Sequence, residues 1–121
     1  RTYDLPGVAV DTIAYTPRSM RGAPSPRFEG ERVYGFELDV TSRTEVDPLA
    51  VGMHALHAMY RQAQVRGDTS FVSRPEHLTR LAGNHRLLRL LRAGASPDSI
   101  IAAWEKEVEA FRSRRSSALI Y

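Results

Sequence analysis

Tyr34, Phe36, Leu38 and Val40 alternate with Val33, Gly35, Glu37 and Asp39. This is the two-residue period of a half-buried strand, and it predicts that the aromatic side faces inward. An earlier run, Val8, Val10, Ile13 and Tyr15, is also β-like, but its apolar phase slips between Val10 and Ile13, which a bulge or burial on both faces would explain. Thr16-Pro17 closes it, because proline has no amide to donate and pushes the residue before it toward extended geometry. The stretch from Arg18 to Gly30 then holds Gly22, Pro24 and Pro26, more arginines and the aromatic Phe28, a loop long enough to be functional or mobile.

From Asp47 onward the period changes to that of helices. Asp47-Pro48 reads as a cap followed by a first-turn proline, and Leu49, Met53, Leu56, Tyr60 and Ala63 form an apolar stripe that stops near Gly67-Asp68, predicting a helix of about four to five turns. Pro75 to Ala82 reads as a short helix ending at Gly83, and Leu87, Leu88, Leu90 and Leu91 fill the next before Gly94; both glycines suit left-handed caps. Ser96-Pro97-Asp98 is a strong helix start: a side-chain acceptor for free amides, a proline at the first helical position and a carboxylate at the positive end of the dipole. Ile100, Trp104, Val108 and Phe111 then form an apolar stripe opposite Glu105, Lys106, Glu107 and Glu109, so burial of that face is expected. Arg112, Arg114 and Arg115 close the helix, and Ala118 to Tyr121 reads as a strand docked in a sheet or against the core. This order predicts an α+β fold, with a small, mainly antiparallel sheet packed against three to four helices and a strand at the C-terminus.

Composition changes this picture little. The 121 residues suit one domain over positions 1–121. The chain begins with Arg1 rather than Met and shows neither a leader nor a long apolar run, so it is expected to be a piece of something longer. Cysteine is absent, which excludes disulfides and thiolate metal sites. The net charge of +3 comes from scattered arginines among 14 carboxylates, with no basic run that would mark a nucleic-acid footprint.

Candidate chemistry is sparse. Glu37 and Asp39 share a strand face roughly 6.5–7 Å apart, a spacing that suits an inverting acid and base pair, although carboxylates on the outer face of a strand are ordinary solvation. His54 and His57 lie three apart on one helix, where a metal could bridge them. They lack the glutamate and four-residue spacing of a zincin, and no third ligand is evident at His77 or His85, so core-edge histidines are the plainer reading and no metal site is assigned. Gly-x-Ser-x-Gly is missing, and the glycines are too dispersed for a phosphate loop; no cofactor is called for. Tyr15, Arg18, Arg21, Arg27, Phe28 and Arg43 differ, because they gather at the strand ends and along the joining loop. An aromatic platform with arginine donors suits sugars that bear carboxylates, and Tyr15, Arg18, Arg21, Arg27 and Arg43 are the candidate substrate-binding residues; the plain alternative is a solvent-exposed loop.

Several landmarks, taken together, resemble the C-terminal domain of the exo-acting β-N-acetylmuramidases, bacterial glycoside hydrolases of peptidoglycan recycling. They are Pro6-Gly7-Val8, Tyr15-Thr16-Pro17, Gly35 before Phe36 to Val40, Arg43 with Pro48, Leu81-Ala82-Gly83, Ala93 to Pro97, and Ile100, Trp104 and Phe111 followed by Arg114 and Leu119-Ile120-Tyr121. The chain departs from that family's pattern at Ser42 and His85, where an Asp is frequent, and at Leu78-Thr79, in place of Phe-Asp. The resemblance implies an upstream Rossmann-like domain that carries the catalytic carboxylate, a cleft between the two domains, and release of terminal N-acetylmuramic acid from the non-reducing end of peptidoglycan fragments. It also implies an extracytoplasmic setting and no catalytic residue in this chain. The rival reading is a non-catalytic module that binds an anionic glycan or a partner protein.

Overall fold

The computed structural model describes residues 5–119, which form two strands followed by four helices, an α+β composition. The chain divides into two compact units, Arg1–Asp47 and Pro48–Tyr121.

The first unit is a hairpin. Strand β1 (Val8–Tyr15) pairs antiparallel with β2 (Val33–Val40) in unbroken register from Val8 opposite Val40 to Tyr15 opposite Val33. No bulge interrupts it, so the slipped apolar phase has a simpler origin. Val10 lies opposite Leu38 on one face, whereas Ile13 lies opposite Gly35 on the other. Residue alternation then puts Val8 and Val10 with Tyr34, Phe36, Leu38 and Val40, and Ile13 and Tyr15 with Val33. The aromatic face does not go inward as its period predicts: Tyr34 is 77% and Phe36 69% exposed. Alternation reports which side chains share a face, but a two-stranded sheet has no second layer of its own to cover that face.

Gly7 fixes how the chain leaves this hairpin. At φ 75° it takes a conformation that favours glycine, and its carbonyl accepts from the amides of Thr41 and Ser42 at 2.9 and 3.3 Å. A Cβ at Gly7 would lie 2.6 Å from both the Ser42 carbonyl oxygen and the Val46 amide nitrogen, so only glycine lets the two segments approach.

The second unit packs α1 (Pro48–Val65), α2 (Pro75–Ala82), α3 (Arg86–Arg92) and α4 (Pro97–Ser116). Leu87, Leu91 and Ile100 form the buried centre, with Met53, Leu56, Tyr60, Leu78 and Trp104 packed around them. Gly83 at φ 73° ends α2 in the left-handed conformation, and Gly94 follows α3 at φ 75°. Ser96 caps α4, its hydroxyl accepting from the Ser99 amide at 3.2 Å, with Pro97 in the first turn. Arg86 ties α3 to α4: it donates to the Ala103 carbonyl and pairs with Glu107, both at 2.7 Å.

Two expectations for the end of the chain need correction. The stripe on α4 is buried only along its first turns: Ile100 is 1% exposed and Trp104 partly buried, but Val108 and Phe111 are 44% and 55% exposed. Ala118 lies in a turn, its amide donating to the Arg115 carbonyl, and Leu119 is half exposed and outside any strand; Ile120 and Tyr121 lie outside the described residues. The proposed terminal strand is therefore absent from the part that is described.

Candidate functional site

The segment between the strands, residues 16–32, is long but clasped. The Gly30 amide donates to the Pro17 carbonyl at 3.0 Å, Met20 and Ala23 exchange backbone hydrogen bonds around Gly22 at φ 93°, and the Ser19 amide donates to the Glu29 carboxylate at 2.9 Å. Two residues other than glycine take positive φ: Ser25 at 55° and Phe28 at 61°. For a bulky residue such as Phe28 this conformation costs about 1–3 kcal/mol.

Arg18, Arg21 and Arg27 all project from this segment and are exposed. The Arg27 guanidinium lies 5.1 Å from the centroid of the Phe28 ring, and that of Arg32 lies 5.8 Å from the centroid of Tyr34, both within cation–π range. None of the ion pairs among the described residues involves this segment. Tyr15 stands at its base, 52% exposed, its ring edge 3.7 Å from where a Cβ on Gly35 would sit. The arrangement offers cationic donors beside exposed rings, a surface suited to an anion carried on an apolar or sugar-like body.

Arg43 is not gathered with the others. It follows β2, at the end where Val40 pairs with Val8, whereas the loop leaves from the Tyr15–Val33 end. The paired strands separate the two ends by roughly 23 Å at 3.3 Å per residue. Arg32 and Tyr34 are the pair that sequence reasoning missed; the period put Tyr34 in the interior and so removed it from consideration.

The other candidates yield less. Glu37 lies directly opposite Asp11, and Asp39 opposite Ala9, so three exposed carboxylates share one open strand face. Such a face is a solvated surface with like charges opposed, and it has no walls to enclose a substrate. In the helical unit His54 Nε2 lies 3.5 Å from Asp98 Oδ1, joining α1 to the start of α4. Burial holds the His57 pKa below its ordinary value, with the Arg61 and His54 charges pushing the same way, and its Nδ1 has no hydrogen-bond partner. Among the described residues no group of three or more His, Cys, Asp or Glu could hold a metal ion. Leu49, Met53, Leu56, Leu81, Trp104 and Phe111 line an open apolar groove of about 620 Å3 with few polar groups, a surface for packing rather than for chemistry. No helix of the described residues is long and apolar enough to cross a membrane.

Of the positions where the chain departs from the muramidase pattern, Leu78, His85 and Ser42 have defined surroundings, and nothing in the structure explains Thr79. Leu78 packs against the Leu87, Leu91 and Ile100 centre, so an apolar residue serves there. His85 precedes α3 without capping it, and the Asn84 side chain accepts from the Arg86 amide at 2.9 Å instead. Ser42 lies within hydrogen-bond distance of Thr44, hydroxyl to hydroxyl at 3.2 Å.

A small α+β chain with a clasped, arginine-bearing loop is thus defined, and comparison with known proteins places it. The description "Exo-beta-N-acetylmuramidase NamZ, C-terminal" matches residues 1–121, and the chain belongs to that family. It is 28% identical over 120 residues to the peptidoglycan β-N-acetylmuramidase NamZ of Bacillus subtilis (strain 168), a match that covers 97% of this chain and 26% of that relative. The chain thus spans about a quarter of the length of that curated relative. No solved structure matches it.

Proposed function

We propose that the chain is the C-terminal domain of a two-domain exo-β-N-acetylmuramidase, catalytically silent alone and forming one wall of a cleft shared with an upstream domain. That upstream domain, Rossmann-like in fold, supplies the catalytic carboxylate. Together the two release terminal N-acetylmuramic acid from the non-reducing end of peptidoglycan fragments. The observation that carries this reading is the family match over all 121 residues, alongside a relative of which these residues cover only 26%.

The clasped loop supports a role in substrate contact. N-acetylmuramic acid bears a lactyl carboxylate, and Arg18, Arg21 and Arg27 stand exposed without a carboxylate partner among the described residues. A planar guanidinium meets a carboxylate with two parallel hydrogen bonds, which gives orientation as well as attraction. The exposed face of Asp11, Glu37 and Asp39 is left as solvated surface in this reading.

Release of N-acetylmuramic acid from a chromogenic muramide, assayed on the 121-residue chain and on the intact polypeptide, tests the proposal. Turnover is expected from the intact polypeptide only. Turnover by the chain alone would overturn the accessory role, and an intact polypeptide that binds muropeptides without cleaving them would favour a glycan-binding module.

A further inference from the structure

Phe28 is the bulkier of the two strained points of the loop, the other being Ser25. At φ 61° it holds a backbone conformation that a glycine would take without strain, yet its side chain is 50% exposed and gains little from burial. The surrounding chain keeps it there. Its carbonyl accepts from the Glu31 amide at 3.1 Å, Gly30 reaches back to Pro17, and Glu29 is held by the Ser19 amide. A bulky ring held in a costly conformation, and presented to solvent by a clasped loop, is placed for contact rather than for packing. The Arg32–Tyr34 pair lacks this feature, since Tyr34 lies in regular strand.

The neighbour of Phe28 supplies the charge. The Arg27 guanidinium lies 5.1 Å from the ring centroid, and no carboxylate among the described residues pairs with it. Ring and cation are therefore offered together, from adjacent exposed residues, with the guanidinium over one face of the ring.

We propose that Phe28 and Arg27 form a subsite for a pyranose that carries a carboxylate. The face of the Phe28 ring that Arg27 leaves uncovered stacks on the apolar C–H face of the sugar, and the Arg27 guanidinium reaches round the ring edge to take its carboxylate in a two-pronged hydrogen bond. This rests on the muramidase reading above and narrows it from a basic loop to one ring and one cation. Phe28 sets affinity for the sugar body, and Arg27 sets preference for the acidic sugar over its neutral counterpart.

The test measures, by stopped-flow mixing and before any turnover, binding to the intact polypeptide of two probes, N-acetylmuramyl-N-acetylglucosamine and di-N-acetylchitobiose, the second lacking the carboxylate. Phe28→Ala and Phe28→Gly are each expected to weaken binding of the muramyl disaccharide by about tenfold or more, the loss that follows when one stacked ring contributes about 1.4 kcal/mol. Phe28→Gly is also expected to melt at the parent's temperature or above it, because glycine relieves the φ strain. Arg27→Met is expected to erase most of the preference for the muramyl probe while sparing chitobiose. Parent-like affinity in Phe28→Gly, a melting temperature for it well below the parent's, or an unchanged preference in Arg27→Met would each overturn the subsite and leave the muramidase reading standing. A parent that binds neither probe would overturn both.

Discussion

His57 is the residue whose protonation the fold opposes. It sits on α1 among partly buried groups, its pKa is lowered by burial first and then by the positive charges of Arg61 and His54, and His54 in turn faces Asp98 across to α4. A histidine that resists protonation when folded binds its proton more readily when unfolded. The stability it contributes is thus fully present above the unfolded value of 6.5, and it is lost as pH falls through that value toward the lower folded one. Denaturant unfolding at pH 7.5 and 5.5 is expected to show a drop in stability on acidification that is smaller in His57→Gln. Equal drops in the two proteins would show that His57 does not carry the effect.

At the scale of elements, the helix stripe on α4 separates a buried half from an open half. Ile100 and Trp104 pack against the Leu87 and Leu91 centre, whereas Phe111 lines an open groove and is 55% exposed. Trp104→Ala is therefore expected to cost about 2–4 kcal/mol, somewhat less than full removal of a buried aromatic, and Phe111→Ala less than about 1 kcal/mol. Urea melts of the two variants check this, and equal losses would mean that the groove end of α4 is packed after all. The helix starts and stops were legible because they rest on local chemistry: the Ser96 hydroxyl, Pro97 and the left-handed Gly83 act within a few residues of themselves. Burial was not legible to the same degree. The alternation of β2 and the stripe of α4 both report a face correctly, but whether another layer covers that face is a tertiary fact that a period does not contain. Register had the same effect on the carboxylates, since Asp11 joined Glu37 only once the strands were paired.

For the molecule as a whole, the loop was legible as a cluster of arginines and rings, but its inner order was not. The clasp of Gly30 to Pro17, the strained Phe28 and the separation of Arg43 from the rest all depend on backbone geometry. What the chain leaves uncovered bears on the upstream domain proposed above. The hairpin exposes Tyr34 at 77% and Phe36 at 69%, and the helical unit exposes Leu81 at 74% and Phe111 at 55%. Large apolar side chains left exposed on each unit invite an interaction partner or association. The matched relative is nearly four times as long as these residues cover, and under the proposal above the upstream domain would cover these surfaces. The 121-residue chain produced alone is therefore expected to bind an apolar dye such as ANS and to self-associate as its concentration rises, whereas the intact polypeptide does neither. Replacing Tyr34 and Phe36 by threonine, a residue suited to a solvated strand face, is expected to reduce both effects in the chain alone. Sedimentation and dye fluorescence read the two outcomes separately, and a chain that is monomeric and dye-silent on its own would remove the reason to assign these surfaces to the upstream domain.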